Sequence, residues 1–425
     1  MVRFTGVIGI VIILGLAFLW SNNRKAINKR LVITGLLLQL MLAIFILKVP
    51  LGQEIFAFLG KAINKLLEFS QQGGQFVFGD LTKVTQILPE GIVKSGVFLF
   101  ILLPTIIFVC VLVAMAYHVG IMQRVVAVLA RFVRWAMRVS GSEALSNVAS
   151  AFVGQVEAQI MIRPYLSGMT KSELLASMTG SMACIAGGVM AVYISMGVPA
   201  SYLLAASLMA APGALVIAKI VFPETEVSET MGKVTLEVKK EHSNIMDAIA
   251  SGASDGMRIS INVIAMLIGV IALIALIDAL LGYFGHFLSW TGLSLSILGL
   301  DVDHLSLKSV VGSLFSLLAI VMGVPPKESM SVGSLMGTKM VINEFVAYSD
   351  LSPMIAKGIL SAKSVVIASF ALCGFANFSS VAIQLGGIGA IAPDRKADLA
   401  RLGLKAMICG TMASYISASL AGILM

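Results

Sequence analysis

The sequence has little charge. Only 12% of its 425 residues are Asp, Glu, Lys or Arg, whereas 58% are apolar. A soluble domain carries about a quarter charged residues, which cover its surface. A chain with so few charges has too much apolar area for one aqueous core and needs lipid as the solvent for much of it. The composition therefore excludes a soluble protein and predicts several membrane spans.

Cysteine and histidine are also scarce. The four cysteines lie inside apolar runs and none forms a CxxC pair, which disfavours both a disulfide framework and a zinc site. The four histidines are scattered without metal-ligand spacing. No Walker loop, nucleophile elbow or HExxH motif occurs, which argues against a pump or an intramembrane hydrolase. We therefore expect neither enzymatic activity nor a bound cofactor.

The positive charge lies between the apolar segments. The net charge of +8 would suit nucleic acid, but the basic residues cluster at 24–30, 124–138, 233–240 and 395–405. Such clusters are typical of cytoplasmic loops, so nucleic-acid binding is the weaker interpretation. The pattern predicts a multi-pass protein of the bacterial inner membrane with both termini in the periplasm. It also predicts that Phe4–Trp20 is a retained span rather than a signal peptide.

Eight apolar segments are long enough, or nearly so, to cross about 30 Å of hydrocarbon as helices. Six are continuous, namely Phe4–Trp20, Leu31–Lys48, Gly96–Val119, Ala200–Val221, Ile259–Leu281 and Leu402–Leu424. Two are interrupted, namely Ser172–Met196 and Lys363–Ala392. Two amphipathic segments, Gln53–Phe69 and Met122–Arg138, predict interfacial helices, and Pro223–Ile249 predicts a polar cytoplasmic connection. We therefore expect an all-α polytopic fold with eight transmembrane helices.

The two halves of the chain repeat one order of elements. Each has a span, a surface helix, a polar hairpin (142–169 or 327–350), a broken span (172–196 or 363–392) and a plain span. An odd number of crossings separates equivalent elements, so the halves are expected to be inverted. The predicted domains are 1–95, with the N-terminal spans and an interfacial helix, 96–222 as the first repeat, 223–258 as the connection and 259–425 as the second repeat. Paired interrupted helices are typical of secondary transporters, although chance alternation of apolar and polar stretches is the alternative.

Each hairpin carries a glutamate in apolar surroundings, Glu157 in the first and Glu344 in the second. A carboxylate at membrane depth is costly without partners, and irregular backbone there must line protein or water. The hairpins are too short to span the membrane twice as helices. They therefore predict two re-entrant hairpins around a hydrated cavity. The alternative is that Glu157 pairs with Arg163, whereas Lys339 would face a different side of a helix from Glu344.

The second break contains a further polar group. Asn377, Ser379 and Ser380 either cap half-helices or face the cavity. A cavity position is favoured for Asn377, whereas capping remains an equal alternative for Ser379.

Five ordered motifs in this sequence resemble the concentrative nucleoside transporter family. They are Phe152–Ala158, Ile162–Leu166, Gly323–Pro325, Asn343–Tyr348 and Gly374–Ser380. The resemblance runs nearly from end to end and suits the eight-span bacterial form. It implies a homotrimer in membrane lipid whose transport domains slide against a fixed scaffold, which is an elevator mechanism, and it implies a nucleoside substrate.

The resemblance also implies the substrate contacts. The nucleobase would meet Gln155, Val156, Glu157, Val189 and Phe375, and the ribose would meet Glu344, Asn343, Asn377 and Ser380. A site built to pair with hydroxyl groups discriminates against analogues that lack them, because its buried polar groups are then left unpaired.

Two departures from the family bear on the coupling ion and the base. Sodium-coupled members use an Asn and a Ser or Thr where this sequence has Ser150 and Cys184. The carbonyls of Val153 and Ile185 remain as cation ligands, but a thiol is a poor ligand for a hard cation. We therefore expect proton coupling, with sodium as the alternative and a facilitative pore as a less favoured one. Val156 replaces the Thr or Ser common in the family, which leaves purine against pyrimidine preference open.

Overall fold

The computed structural model describes residues 5–82, 93–231, 242–290 and 305–425, and these ranges fold into α-helices without any strand. The helices of the first half are α1 (Thr5–Leu19), α2 (Lys29–Leu47), α3 (Pro50–Phe78), α4 (Val93–Val119), α5 (Ile121–Met137), α6 (Gly141–Ser150), α7 (Glu157–Ile160), α8 (Lys171–Ala183), α9 (Gly187–Ser195) and α10 (Ala200–Val221). Those of the second half are α11 (Ile245–Trp290), α12 (Leu307–Val321), α13 (Pro326–Val341), α14 (Glu344–Ala356), α15 (Ala362–Leu372), α16 (Phe378–Ile391) and α17 (Lys396–Leu424). The predicted all-α class is confirmed.

Six helical segments in the described part of the chain are long and apolar enough to cross a membrane. They are Lys29–Leu47, Leu102–Val119, Lys171–Ser195, Ala200–Val221, Ile245–Ser289 and Pro393–Leu424. The remaining two predicted spans form shorter apolar helices. These are α1, with 15 residues, and the pair α15 and α16 on either side of the second break. The chain is therefore a membrane protein, and length and composition alone identify six of the eight expected spans.

The surface helices differ in length from their predictions. Helix α5 matches the expected amphipathic segment and buries Val126, Ala130, Val133 and Met137 along one face. Helix α3 continues to Phe78, beyond the predicted end at 69. Helix α11 begins at Ile245 and runs unbroken for 46 residues, so the predicted start of its span at 259 lies well inside the helix. Residues 232–241 of the predicted polar connection lie outside the described residues.

Glycine lets α11 approach α4 closely. A Cβ on Gly252 would stand 2.8 Å from the Cys110 carbonyl oxygen, and one on Gly256 would stand 2.6 Å from the Cα of Ile107. Small residues four apart are the usual way in which membrane helices bring their backbones together. The polar first third of α11 therefore stays helical because it is packed against α4.

The core is built from α8, α10, α15 and α17, which contact one another. Every residue of α8 except Lys171 is buried, as expected for a helix enclosed on all sides. Capping boxes start α6 and α8, in which Ser140 pairs with Glu143 and Thr170 with Glu173. Lys219 of α10 forms ion pairs with Glu143 and with Glu224. These buried charges hold the starts of the first hairpin and of the first broken span together.

The two broken spans meet at their breaks. Helix α8 ends at Ala183 and α9 begins at Gly187, while α15 ends at Leu372 and α16 begins after Asn377. Gly374 has a φ of 106°, and a Cβ there would lie 2.5 Å from the carbonyl oxygen of Ala183. Only glycine fits this position without strain, because of both its left-handed backbone and the close approach.

Candidate functional site

Glu344 lies at the centre of the candidate site. It is the first residue of α14, at the turn of the second hairpin, and only 5% of its surface is exposed. Its Oε1 accepts a hydrogen bond from the Tyr193 hydroxyl at 3.1 Å, and its Oε2 accepts one from Asn377 Nδ2 at 2.8 Å. The carboxylate thus joins the second hairpin to the half-helices that restart after both breaks. It also begins a helix, where the peptide dipoles favour negative charge.

Asn377 both caps α16 and orients the site. Its Oδ1 accepts hydrogen bonds from the Ser380 amide at 2.9 Å and from the Ser379 hydroxyl at 2.7 Å. Its Nδ2 remains free for Glu344. Capping and cavity positions are alternatives for this polar group; Asn377 is a cap, and its position in a cavity stays a prediction. An N-cap side chain accepts the first unpaired amide of a helix, so the start of α16 and the orientation of Glu344 depend on one residue.

Gln155 brings the first hairpin into the same chain of polar groups. Its Nε2 donates to Ser380 Oγ at 3.4 Å, while its Oε1 is buried without a hydrogen-bond partner among the described residues. A buried polar atom without a partner is unusual in a native protein. The side chain of Gln155 therefore presents an unpaired acceptor beside the Ser380–Asn377–Glu344 group.

The other residues predicted to contact the nucleobase are less buried than this polar group. Val156 packs against α16, where a Cβ on Gly387 would stand 2.8 Å from Val156 Cγ1. Val189 in α9 and Phe375 in the second break are half-buried. Glu157 is exposed, and no ion pair joins it to the exposed Arg163, although both residues lie in the described part of the chain. The alternative of a structural Glu157–Arg163 pair is therefore wrong for this conformation.

Asn343 mirrors Asn377 on the second hairpin. Its Oδ1 accepts from the Val346 amide at 2.9 Å and so caps α14, and its Nδ2 lies 3.6 Å from the Met266 sulfur of α11. Two asparagines thus begin the two half-helices whose first turns carry Glu344 and Ser380. The structure places all four predicted ribose residues at these two adjoining helix starts.

Sequence reasoning missed two tyrosines and the role of one lysine. Tyr193 is fully buried, donates to Glu344 and stacks on Tyr348 with ring centroids 4.3 Å apart. Tyr348 in turn donates to the Ser369 carbonyl at 2.8 Å. Lys339 forms no ion pair with Glu344 within the described residues and instead donates to the carbonyls of Ala371 and Cys373. A tyrosine inside an apolar half-helix, as in α9, is the signal that would have indicated the first of these.

The candidate cation residues lie where α6 and α8 end. Ser150 Oγ donates to the Ser146 carbonyl at 2.7 Å and lies 2.9 Å from Ser181 Oγ. Cys184 is buried and directs its thiol at the Ser207 carbonyl, 3.7 Å away. Val153 and Ile185 are buried beside them. The thiol of Cys184 is a soft group, whereas a sodium ion prefers oxygen ligands. No cluster of three or more His, Cys, Asp or Glu side chains suited to a metal occurs among the described residues.

Three family models of nucleoside transporters together match almost the whole chain. The model described as the C-terminus of Na+ dependent nucleoside transporters matches residues 202–422, and its N-terminal counterpart matches 8–81. A model described as a gate for nucleoside recognition matches residues 99–200, which include the first hairpin and the first break.

Similar proteins of nearly the same length occur in bacteria. An uncharacterized transporter of Bacillus subtilis, YutK, is 40% identical over 418 residues, which are 98% of each chain. The nucleoside permease NupC of Helicobacter pylori is 37% identical over 422 residues, or 98% of this chain and 96% of that one. Among longer relatives, human sodium/nucleoside cotransporter 1 is 35% identical over 98% of this chain and 63% of its own length.

The fold matches solved structures of CNTnw. The inward-facing, substrate-bound state has a TM-score of 0.90 and 41% identity and covers 100% of this chain and 98% of that one. A variant in an outward-facing state also gives a TM-score of 0.90, at 40% identity, with the same coverage. Sequence motifs, family models and fold therefore agree that the chain belongs to the concentrative nucleoside transporter family, whose members are transporters rather than enzymes.

Proposed function

We propose that this protein imports nucleosides across the bacterial inner membrane as a cation-coupled symporter. The observation that carries the proposal is the continuous polar chain Gln155–Ser380–Asn377–Glu344. It runs between two hairpin turns and the start of a half-helix in an otherwise apolar protein. Such a row of buried acceptors and donors suits a neutral, hydroxyl-rich solute better than an ion or a lipid.

The two ends of this row suit the two halves of a nucleoside. At one end, the Glu344 carboxylate is held by Tyr193 and Asn377 and offers its remaining lone pairs to ribose hydroxyls. At the other end, the unpaired Gln155 oxygen accepts from a base N–H. Phe375 and Val189 are half-buried and supply apolar surface for the face of the base. Glu157 is exposed, and we assign its carboxylate to the edge of the base.

Proton coupling is favoured over sodium coupling. The candidate cation position offers Ser150, whose hydroxyl already has two partners, and the thiol of Cys184. Relative to sodium-coupled members, the position lacks the amide oxygen of the Asn and the hydroxyl of the Ser or Thr, and a thiol is a poor substitute for a hard oxygen ligand. Glu157 and Glu344 are the titratable side chains beside the substrate position, and either carboxylate can carry a proton with the substrate.

We assign alternating access to an elevator movement in a homotrimer. Half-helices of 9 to 14 residues extend only about 13–21 Å, which is consistent with re-entrant hairpins and breaks near the middle of the membrane. The α4–α11 pair, joined at Gly252 and Gly256, suits the fixed scaffold. Solved neighbours in inward-facing and outward-facing states support such a movement. Both termini are assigned to the periplasm, and the repeats 96–222 and 259–425 are taken as inverted.

Uptake into proteoliposomes tests the proposal. Labelled uridine and adenosine are offered under an imposed pH gradient, a sodium gradient at constant pH, or neither. The expected result is accumulation above equilibrium under the pH gradient alone. Uptake driven by sodium alone would overturn the proton assignment, and uptake that only reaches equilibrium would indicate a facilitative pore. If no condition drives uptake of any nucleoside, the proposed function is wrong.

The cation position allows a sharper test of the coupling ion. The double variant S150N/C184S restores an amide oxygen and a hydroxyl at the two departures from the family pattern. Nucleoside binding by this variant is expected to become sodium-dependent, whereas binding by the unaltered protein stays independent of sodium. Equal sodium dependence of both proteins would contradict the assignment of this position.

A further inference from the structure

Helix α5 has two apolar faces, of which one is buried and the other is exposed among the described residues. Val126, Ala130, Val133 and Met137 are buried against the body. On the other side, exposed apolar side chains form a second stripe, which consists of Val125, Val128, Phe132 and Trp135. Trp135 is 76% exposed, and amphipathic Trp side chains concentrate at membrane interfaces. The second stripe therefore faces lipid or another protein.

Arginines border that exposed stripe. Arg124 and Arg131 are seven residues apart and so share one side of the helix, and Arg138 caps its end. Arg131 and Arg138, with Arg134, line an open groove of about 670 Å³ that also includes Phe132 and Trp135. No acidic side chain is among the described residues that line it. The groove thus has a cationic side and an apolar side along one surface helix.

Arg138, which lines the groove, has a strained backbone conformation. Arg138 caps the end of α5 with φ at 54° and ψ at 41°, and no other non-glycine residue in the described ranges has a positive φ. Glycine is the usual residue in this conformation, and a side chain there costs about 1–2 kcal/mol. An arginine at a position where glycine is more stable indicates that its guanidinium has a use.

From these features we infer that the α5 groove binds the headgroup of an anionic phospholipid. The phosphate lies between Arg131 and Arg138, and an acyl chain lies along Phe132 and Trp135. Basic amphipathic helices bind anionic membrane surfaces in this way. A second copy of the chain is disfavoured as the occupant, since like charges would face each other across the groove. The inference is independent of the substrate and of the coupling ion.

Tryptophan quenching by brominated lipids tests the site. The purified protein is reconstituted in phosphatidylcholine vesicles that contain a minor fraction of brominated phosphatidylglycerol or brominated phosphatidylcholine. The signal of Trp135 is the difference between the unaltered protein and W135F. Trp135 is expected to be quenched preferentially by the anionic lipid, by about fivefold per arginine engaged. R131Q and R138G are each expected to reduce this preference, whereas R124Q, on the same side of the helix but outside the groove, keeps it.

The stability of the glycine variant separates a binding role from a structural one. R138G relieves the strained backbone, so its unfolding temperature should rise or stay unchanged while its lipid preference falls. Equal quenching by both lipids, or an unchanged preference in R131Q and R138G, would overturn the inference. So would an absence of quenching together with cross-linking of W135C between copies, because a second protomer would then occupy the groove.

A second inference concerns Lys339, a buried lysine that forms no ion pair among the described residues. Its side chain is fully buried, and its Nζ donates to the carbonyls of Ala371 at 2.9 Å and Cys373 at 3.1 Å. Cys373 also accepts from the Ser414 hydroxyl at 2.8 Å. Lys339 lies in the last turn of α13, and the two carbonyls lie at the end of α15. The ammonium group therefore sits where two helices end, and helix ends attract cations.

The geometry points to Lys339 as a built-in cation that holds the second break in its binding conformation. The carbonyls that it binds immediately precede Gly374–Asn377, so their orientation sets where Asn377 and Phe375 stand. At the equivalent place in the first half, where α6 and α8 end, Ser150 and Ser181 meet instead, and no lysine or arginine of the described ranges binds there. Lys339 is thus a positioning residue for the substrate site, and this role rests on the proposed function.

Chemical rescue by small ammonium ions distinguishes a role for the positive charge of Lys339 from a role in packing alone. Nucleoside binding to purified K339A is measured at constant pH in N-methylglucamine buffer, with and without methylammonium. Binding is expected to weaken by about tenfold or more, as for the loss of charged hydrogen bonds, and methylammonium should restore it. Tetramethylammonium, which has the charge but no N–H donor, should not. The unaltered protein should respond to neither.

Two outcomes would overturn the role of Lys339. One is affinity in K339A equal to that of the unaltered protein, and the other is an intact, monodisperse K339A that no small ammonium ion restores. K339Q provides a second check if K339A does not fold, since it keeps N–H donors without the charge. Full binding by K339Q would show that charge is not required. If the unaltered protein binds no nucleoside, the proposed function fails and the test of Lys339 is not reached.

Discussion

Replacing Glu344 with glutamine is expected to abolish measurable nucleoside binding while leaving the protein folded. Glutamine has nearly the same shape, but it turns one acceptor oxygen into an NH2 donor. Both carboxylate oxygens of Glu344 now accept from donors, Tyr193 at 3.1 Å and Asn377 at 2.8 Å. If the new NH2 faces Asn377, a donor meets a donor; if it faces Tyr193, the hydroxyl must turn to accept, and its own hydrogen then loses its acceptor.

The size of the effect follows from these contacts. A charged hydrogen bond to a ribose hydroxyl contributes about 1.5–3 kcal/mol, and a buried donor left unpaired costs about 1–3 kcal/mol. Together these give a loss of about 2.5–6 kcal/mol, which is about 60-fold to about 20,000-fold in affinity. The lower limit already exceeds what a simple change of surface charge produces.

Equilibrium binding of labelled uridine or adenosine to the detergent-purified protein measures this loss. E328Q is the matched control, because Glu328 lies at the far end of the same hairpin and accepts from the Ser361 amide and hydroxyl through one oxygen. It should keep the affinity of the unaltered protein. E344Q must elute at the same size as the unaltered protein and unfold at a similar temperature. Unchanged affinity in such a folded E344Q protein would remove Glu344 from the ribose role.

Three further variants test the surroundings of the site. Y193F should weaken nucleoside binding by about fivefold, since it deletes one hydrogen bond worth about 1 kcal/mol; unchanged affinity would show that Tyr193 only fills space. G374A should destabilise the protein by at least about 2 kcal/mol, measured by thermal unfolding, whereas G358A, also at positive φ but in open space, should cost less. G256L should separate α4 from α11 and lower the unfolding temperature, and G269L, with no neighbour within 4 Å, should not.

The breaks and the hairpin turns could be located from the sequence, because few structural roles account for a polar residue inside an apolar segment. Glu344 and Asn377 stand out in this way, and the structure brings them into direct contact. The motif resemblance supplied the rest of the ribose group. The predicted Gln155 also joins the same polar chain, through Ser380.

Contacts between distant segments were not predictable. Tyr193 is 151 residues away from Glu344 in the chain, and nothing in its apolar neighbourhood indicates which helix it will face. Lys339 was considered only as a counter-charge for Glu344, since a lysine bound by backbone carbonyls has no sequence signature. The length of α11 was underestimated, because its polar first third is held helical by packing on α4 rather than by hydrophobicity.

The continuous 46 residues of α11 have a consequence for measurement. At 1.5 Å per residue the helix is about 69 Å long, more than twice the hydrocarbon thickness of about 30 Å. Even at a tilt of 40° it would rise about 53 Å, so part of it must project into water. Ile261, Ile268, Leu276 and Phe284 are exposed along its length. Depth-sensitive probes at these positions would give a scale of depth along α11, against which the proposed vertical movement of Glu344 can be measured in ångströms.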